Sequence, residues 1–350
     1  MKKIFIILGI TFFLVLLIDV LIGSYLIKFT SKKINPTINH EVYDHDLKKN
    51  FNASLEWVPG ENYLFCTDQN SFRNFCEKAS SDTKEFDIAF IGDSFTEGVG
   101  LEYKNTFVGQ ISNYLSDYKI ANLGVVSYSP TIYFSKLKYL IDKGYKFNKV
   151  IIYFDISDVY DDNRKYSLID NIVTRKKSIL LSKIQKFLKS SFPFLSYSSK
   201  KIKNDLIPKF YKEKKILNKC EYVDYCHEKS SWTFNSDYFG EEEINKSMKL
   251  MNMIYILLKQ NNIKMSVGIY PWPGQIMYDN KNSKIVNLME DFCLNRCEFF
   301  FNNFSDFFDE LNYSTRDNII SKYYFANDVH FNENGNKKIF KNFINNFKFQ

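Results

Sequence analysis

The sequence predicts an α/β fold in which a parallel sheet is flanked by helices to give three layers. Five short apolar segments are predicted as buried strands, and the segments between them show helical periodicity. The predicted strands are FDIAFI (86–91), KIANL (119–123), KVIIYF (149–154), KMSVGIY (264–270) and CEFFF (297–301). The predicted helices cover 105–115, 131–144, 241–262 and 336–347. Strands and helices that alternate in this way form a parallel sheet covered on both faces.

Residues 1–27 form the first predicted segment. Two lysines precede an apolar stretch from Ile4 to Ile27, which is broken only by Asp19 and small polar residues. About 20 such residues suffice to cross a bilayer as a helix, so we expect an N-terminal transmembrane anchor. A cleaved signal peptide is the alternative, but the stretch is long for one and no small-residue cleavage site follows it.

Six cysteines lie beyond this anchor and fall into three locally spaced pairs. The pairs are Cys66 with Cys76, Cys220 with Cys226, and Cys293 with Cys297. Such pairs suit disulfides in an oxidising compartment, so we expect the body of the chain outside the cytoplasm, in the periplasm or the extracellular space. Free thiols and a zinc site are the alternatives. The spacings lack the paired CxxC motifs of zinc sites, and no metal is predicted.

Residues 28–85 carry scattered Asn, Ser and Lys and are predicted as an irregular lead-in segment. The main α/β domain is expected over 86–350, with a basic helical insertion at about 164–235. Within it, 178–195 has the pattern of a basic amphipathic helix, which suits either contact with anionic lipid or a lid packed on the domain. The formal net charge of +7 accompanies no nucleic-acid-binding motif, so nucleic acid is not expected as a partner.

Chemically versatile residues follow the predicted strands. Ser94 follows the first strand, Gly124 the second and the acidic stretch 155–162 the third, while His330 precedes the last helix. Because the carboxyl ends of parallel strands share one edge of a sheet, we expect these residues to lie together. Taken singly, Ser94 suits a helix cap and His330 an ordinary surface histidine. Together they indicate a nucleophilic serine with a histidine as its base.

Three sequence blocks carry a resemblance to a known family. The blocks are GDSF (92–95), NLGVVSYSP (122–130) and DVH (328–330). In their type and order the chain resembles the SGNH (GDSL-type) hydrolases, and the short D-x-H form resembles members that act on carbohydrate O-acyl groups. The resemblance implies a flavodoxin-like sheet, an acyl-enzyme at Ser94, His330 as base and Asp328 as orienting acid. It also implies an oxyanion hole that includes the backbone N–H groups of Ser94 and Gly124.

The chain departs from the family pattern at two positions. The family has a further block between NLGVVSYSP and DVH, which usually reads G-x-N-D. Residues 155–158 of this chain read DISD, so Ser157 stands in the place of the asparagine. Its hydroxyl is the predicted third oxyanion donor. The commoner D-x-x-H spacing would put the orienting acid at Asn327, but a neutral amide cannot stabilise an imidazolium as a carboxylate does. Asp328 is therefore the predicted acid.

Two further residues are predicted to border the substrate. Trp272, in the loop YPWPGQ (270–275), is suited to stack on a sugar face or an acyl group. A buried core tryptophan is the alternative. Asp158, in the stretch DISD (155–158), is the second predicted substrate contact.

These observations lead to one expected function and two alternatives. We expect an extracytoplasmic, membrane-anchored serine esterase or O-acyltransferase that acts on acyl esters, above all acetyl esters, of a cell-surface carbohydrate. No cofactor is predicted; the expected partners are the membrane, the acyl-ester substrate and other proteins of polysaccharide modification. A lipid or thioester hydrolase with the same triad is the first alternative. A catalytically silent scaffold in envelope-polysaccharide assembly is the second, and the missing asparagine favours it.

Overall fold

The computed structural model describes residues 2–30, 34–58, 60–77, 83–176, 187, 190–201, 238–326 and 328–347. The chain divides into two compact units. The first is Met1–Asn35 with Lys177–Glu221, and the second is Pro36–Lys176 with Tyr222–Gln350. The sheet and the predicted catalytic residues belong to the second unit.

The strands and helices are numbered here along the chain. The strands are β1 (Thr37–His40), β2 (Asp44–Leu47), β3 (Asn52–Glu56), β4 (Asn62–Cys66), β5 (Glu85–Ile91), β6 (Ile120–Asn122), β7 (Lys146–Phe154), β8 (Tyr166–Ile169), β9 (Ile172–Arg175), β10 (Lys264–Ile269) and β11 (Phe300–Asn302). The helices are α1 (Lys2–Thr30), α2 (Ser94–Glu97), α3 (Phe107–Tyr114), α4 (Pro130–Asp142), α5 (Ile156–Arg164), α6 (Pro193–Lys201), α7 (Glu241–Gln260), α8 (Pro273–Tyr278), α9 (Lys284–Cys293), α10 (Asn303–Phe308), α11 (Arg316–Tyr323) and α12 (Glu333–Asn346).

Five strands form a parallel sheet in the order β6-β5-β7-β10-β11. Counted along the chain, this is the 2-1-3-4-5 order of flavodoxin-like sheets. The strand order reverses between β5 and β7, and ligands of such sheets bind in the crevice at the carboxyl ends of the strands there. The predicted α/β class is confirmed, and each of the five predicted segments overlaps a strand of this sheet, although β7 begins three residues earlier and β11 starts three residues later than predicted.

Helices cover both faces of the sheet. Residues 88–91 of β5 and 150–154 of β7 are buried without interruption. Successive side chains of a strand point to opposite faces, so unbroken burial means that both faces are packed. The helix α3 packs with α12, and α7 packs with α4 and α5. The sheet is therefore the middle of three layers, as predicted.

The N-terminal stretch forms one helix, α1, which packs against α6 in the first unit. The Asp19 carboxylate is buried and accepts the backbone N–H groups of Phe194 and Leu195, each at 2.8 Å, in the first turn of α6. Among the helices that the structure describes, none combines the length and the apolar character needed to cross a membrane. The predicted transmembrane helix is therefore not found.

The lead-in segment is more regular than predicted. It contains two antiparallel hairpins, β1 with β2 and β3 with β4. These strands are only four or five residues long and partly exposed, so they lack the apolar runs that mark the strands of the sheet. A disulfide joins Cys66, at the end of β4, to Cys76.

A second disulfide joins Cys293, at the end of α9, to Cys297. Two of the three predicted cysteine pairs are thus present. The third pair, Cys220 with Cys226, lies outside the described residues.

The predicted helical insertion begins with a hairpin. The strands β8 and β9 pair in antiparallel fashion through Asp170 and Asn171, whose φ angles are 50° and 64°. Positive φ at both central residues is the requirement of a two-residue type I′ turn, and Asp and Asn tolerate it. Of the predicted amphipathic stretch 178–195, residues 187 and 190–195 are described; residues 202–237 of the insertion lie outside the described part.

Candidate active site

The loop that follows β5 places Ser94 at the start of the short helix α2. Asp93, not Ser94, caps this helix: its carboxylate accepts the backbone N–H of Phe95 at 2.9 Å. The helix ends at Gly98, whose φ of 79° is left-handed and favours glycine. The hydroxyl of Ser94 is therefore not used as a cap.

His330 reaches Ser94 from a loop 236 residues away in the sequence. Its Nε2 lies 2.7 Å from the Ser94 Oγ, and its Nδ1 lies 2.5 Å from the Asp328 Oδ1. The same carboxylate oxygen accepts the backbone N–H of His330 at 2.8 Å. The structure thus brings together the three predicted residues in the order serine, histidine, aspartate, within hydrogen-bonding distance at both steps.

The pairing with His330 changes the acidity of Asp328. Burial favours the neutral acid, but the hydrogen bonds and charge of His330 outweigh burial and lower the pKa of Asp328 below its ordinary value of 3.8. The carboxylate is therefore ionised at neutral pH, which is the state that stabilises an imidazolium. Asn327, the alternative acid position, is outside the described residues.

Aromatic rings surround the imidazole of His330. The ring of Phe95 lies 4.9 Å from it, centroid to centroid. The indole of Trp57, which follows β3, meets it edge-on at 5.0 Å with an interplanar angle of 90°. Trp57 is not among the residues predicted for the site. Its sequence context in a short hairpin gives no signal for a contact with residue 330.

Three buried carboxyl groups lie close to Ser94, in the segments that follow β5 and β7. They belong to Asp93, Asp155 and Asp158. The Oδ2 of Asp93 lies 3.4 Å from the hydroxyl oxygens of both Ser94 and Ser157. Burial and the charge of Asp155 raise the pKa of Asp93 well above its ordinary value. Burial likewise raises the pKa of Asp155, and burial together with the Asp155 charge raises the pKa of Asp158. Burial and mutual repulsion therefore disfavour the ionisation of all three carboxyl groups at once.

Only part of the predicted oxyanion hole is free. The backbone N–H of Gly124 donates to the Oδ1 of Asn122 at 3.0 Å, so this donor is already engaged. A Cβ at Gly124 would lie 2.7 Å from the backbone nitrogen of Glu97. Glycine is required there because the loop passes close to α2. The hydroxyl of Ser157 lies near Asp93, and the N–H of Ser94 stands at the first position of α2, where the helix itself does not use it.

The two predicted substrate contacts are internal. Trp272 is 7% exposed, and its Nε1 donates to the Asp155 Oδ2 at 2.9 Å. Asp158 is 1% exposed, and its oxygens accept the Tyr133 hydroxyl at 2.8 Å and the backbone N–H of Asp155 at 2.9 Å. The core-tryptophan alternative therefore describes Trp272. Both side chains support the loop after β7 instead of bordering a substrate.

Within the part of the chain that the structure describes, no group of three or more His, Cys, Asp or Glu side chains could hold a metal ion. The acidic residues after β7 have other partners. Asp162, for example, accepts the hydroxyls of Ser129 and Thr131, each at 2.7 Å.

Comparison with known proteins yields distant structural likenesses. No protein-family model and no curated protein matches the chain. An acetylxylan esterase from Geobacillus stearothermophilus has 10% identity and a TM-score of 0.42, over 76% of this chain and 95% of that chain. LAE5, an α/β hydrolase enzyme from the metagenome of Lake Arreo, has 9% identity and a TM-score of 0.40, over 74% and 94%. A member of the lipolytic G-D-S-L family from Veillonella parvula has 11% identity and a TM-score of 0.38, over 74% and 96%.

At such identities and TM-scores these likenesses carry no argument about the activity of this chain. The chemistry open to this chain therefore follows from the geometry around Ser94.

Proposed function

We propose that this chain is a serine esterase or O-acyltransferase of the SGNH type, which forms an acyl-enzyme at Ser94. The observation that carries the proposal is the continuous contact from the Ser94 Oγ through His330 to Asp328, at 2.7 Å and 2.5 Å. A serine hydroxyl needs an adjacent base, and the base needs an orienting group. Residues from two distant parts of the chain supply all three.

In the proposed reaction, the Ser94 Oγ attacks the carbonyl carbon of an acyl ester while its proton passes to the Nε2 of His330. The tetrahedral intermediate collapses, the C–O bond to the alcohol breaks, and His330 returns the proton to the leaving oxygen. Water or an acceptor hydroxyl then attacks the acyl-Ser94 carbonyl and gives its proton to His330. The bond between the carbonyl carbon and the Ser94 Oγ breaks, and His330 returns the proton to that oxygen. The products are the released alcohol, a free or re-esterified acyl group and the restored serine.

The oxyanion of this intermediate is proposed to accept hydrogen bonds from the Ser94 N–H and the Ser157 hydroxyl. Each such donor is typically worth about 3 kcal/mol of barrier. The Gly124 N–H joins them only if it leaves the Asn122 side chain, its partner in this structure.

The proposed substrate is an acyl ester, above all an acetyl ester, of a carbohydrate. The support is the partly exposed indole of Trp57 beside the triad, since flat aromatic faces suit sugar rings. We therefore propose the sugar-facing aromatic role for Trp57 instead of Trp272. Proteins of polysaccharide modification are the proposed partners.

We further propose that the main domain works outside the cytoplasm and that α1 attaches it to a membrane. Two disulfides within the described residues support an oxidising compartment. Large apolar side chains exposed along α1 support contact with lipid. Cell fractionation and non-reducing peptide mapping test both points. Reduced thiols in the native protein would contradict the first, and a fully soluble chain the second.

A catalytically silent scaffold is the second candidate. It is favoured by the engaged Gly124 N–H and by the serine at position 157, which together leave the oxyanion hole incomplete.

Acetate release from acetylated carbohydrate oligomers, compared with hydrolysis of long-chain esters, tests the proposed function. The wild type is compared with Ser94→Ala, and Ser321→Ala on the exposed side of α11 is the matched control. We expect acetate release by the wild type and the control only. An acceptor glycan added to the assay reveals transfer as an acetylated product. Faster cleavage of long-chain esters would favour the lipid hydrolase, and no turnover of any ester would favour the scaffold.

A further inference from the structure

The hairpin formed by β3 and β4 reaches the triad through Trp57, one residue beyond β3. The indole Nε1 donates a hydrogen bond to the Oδ2 of Asp328 at 3.1 Å, across 271 residues of sequence. The other oxygen of that carboxylate, Oδ1, is the one that faces His330. The two oxygens of Asp328 are therefore held from opposite sides, one by the imidazole and one by the indole.

We propose that Trp57 is a positioning residue that holds the carboxylate of Asp328 in the plane needed to orient His330, so that the lead-in hairpin completes the active site. The inference rests on the proposed function and assigns to it a residue outside the three sequence blocks.

The carboxylate of Asp328 needs such a second partner. Its side chain is 28% exposed and lies in a loop, so that water competes for its oxygens. Both hydrogen bonds from His330 go to Oδ1, and a hydrogen bond to each oxygen fixes the rotation of the carboxylate. Groups that orient a reacting residue through such contacts typically affect the rate strongly, because small misplacements are costly.

An indole suits this role better than a charged donor. Lysine or arginine at position 57 would partly neutralise the Asp328 carboxylate and weaken its attraction for the imidazolium. The indole N–H is a neutral donor without acceptor capacity, so it fixes the oxygen and leaves the charge in place.

The hairpin is held firmly enough to act as a support. Tyr63 and Phe65 of β4 are buried, and β4 ends in the disulfide between Cys66 and Cys76. The fully buried Arg73 stacks on Phe65 at 3.9 Å and donates to the carbonyl of Leu101 at 2.7 Å, in the loop after α2.

A glycine in that same loop allows Phe325 to approach it beside Trp57. A Cβ at Gly100, where φ is 80°, would lie 2.8 Å from the ring of Phe325 and at an ordinary contact distance of 3.5 Å from the Cδ1 of Trp57. Phe325 in turn donates its backbone N–H to the carbonyl of His330 at 3.0 Å. The hairpin, the loop after α2 and the histidine loop therefore meet at one point.

The test is a double-mutant cycle on the full chain with Trp57→Phe and Asp328→Ala, measured as kcat and KM on a small acetyl ester. Phenylalanine keeps an aromatic ring but removes the donor. We expect Trp57→Phe to lower kcat about tenfold, the size of a lost hydrogen bond to a charged group, with little change in KM. In the Asp328→Ala background the same substitution should have no further effect. Leu64→Ala, an exposed change on the same hairpin, should leave kcat unchanged.

Two results would overturn the inference: a Trp57→Phe variant with wild-type kcat, or equal fold-losses from Trp57→Phe in the presence and absence of the Asp328 carboxylate. A rise in KM alone would also overturn it, because it would make Trp57 a substrate contact only.

The hydrogen bond is also testable without turnover. The chain has three tryptophans, so the indole N–H signal of Trp57 can be assigned in a ¹⁵N-¹H spectrum by its loss in Trp57→Phe. Asp328→Ala should shift that signal, and an unmoved signal would overturn the inference. If the wild type hydrolyses no ester but the signal shifts, the proposed function fails while the contact stands.

Discussion

Glu97 offers a test of how the interior around α2 is charged. Its side chain is 2% exposed, and its Oε2 accepts the backbone N–H of Val126 at 2.7 Å. Burial raises the pKa of Glu97 from its ordinary value of 4.5 to about 7, against the opposing effects of this hydrogen bond and of the Arg73 charge. The folded protein therefore keeps a proton that the unfolded chain releases.

The sign of the pH effect follows from proton binding. Between pH 4.5 and 7 the folded state binds more protons at Glu97 than the unfolded state, so this group makes stability fall as the pH rises. A pKa difference of one corresponds to about 1.4 kcal/mol, so the whole window corresponds to about 3 kcal/mol. Glutamine at position 97 keeps an oxygen for the Val126 N–H but removes the titration.

We expect the free energy of unfolding of Glu97→Gln, relative to the wild type, to rise by about 3 kcal/mol between pH 4.5 and pH 8. Urea unfolding of both proteins, with disulfides intact, measures it. Glu242→Gln, the same change at an exposed glutamate of α7, is the matched control for the substitution itself. Parallel pH curves for Glu97→Gln and the wild type would refute the assignment of a buried, protonated glutamate.

Three further substitutions test the site. Asp328→Asn should lower kcat about a thousandfold or more, because the imidazolium loses its counter-charge; a change in KM alone would contradict this role. Gly124→Ala should destabilise the fold by about 1–3 kcal/mol in urea and slow acylation of Ser94, since the new Cβ would lie 2.7 Å from a backbone nitrogen of α2. Gly240→Ala, whose Cβ meets nothing within 4 Å, should cost much less, and equal losses would refute the steric argument. Trp272→Phe should cost about 1–3 kcal/mol of stability, because the buried Asp155 Oδ2 loses its donor; unchanged urea unfolding would contradict that contact.

Sequence patterns were sufficient to predict the parallel sheet and the proximity of three residues at its edge. Apolar runs such as 149–154 are unambiguous because both of their faces are buried. Ser94 and His330 could be placed because one lies just beyond a strand and the other lies in the loop before the last helix. Asp328 could be predicted as the orienting acid because it lies two residues before His330. The short turn between them brings its carboxylate into direct contact with the imidazole.

Contacts between distant, weakly patterned segments could not be predicted. Nothing in the short hairpin of β3 and β4 indicates that Trp57 meets Asp328, since that contact depends on how the whole lead-in segment folds back. The loop tryptophan with the stronger sequence signal, Trp272, is buried instead. The β8–β9 hairpin was not predicted, although its sequence indicates a tight turn. Asp170 and Asn171 tolerate the positive φ angles that such a turn requires.

The sequence alone also does not distinguish between two possible roles of Gly124. Glycine after the second strand suits both a free oxyanion donor and a close backbone approach. Only the structure shows that its N–H is engaged and that a Cβ would strike α2.

Covalent labelling with a fluorophosphonate, an active-serine probe, tests the central claim most directly. The native wild type should gain one adduct by intact mass, and peptide mapping should place it on Ser94. Ser94→Ala and the urea-unfolded wild type should gain none, because the nucleophile needs the folded contact with His330. Equal labelling of the wild type and Ser94→Ala, or no labelling of the native wild type, would contradict the claim that Ser94 is an activated nucleophile.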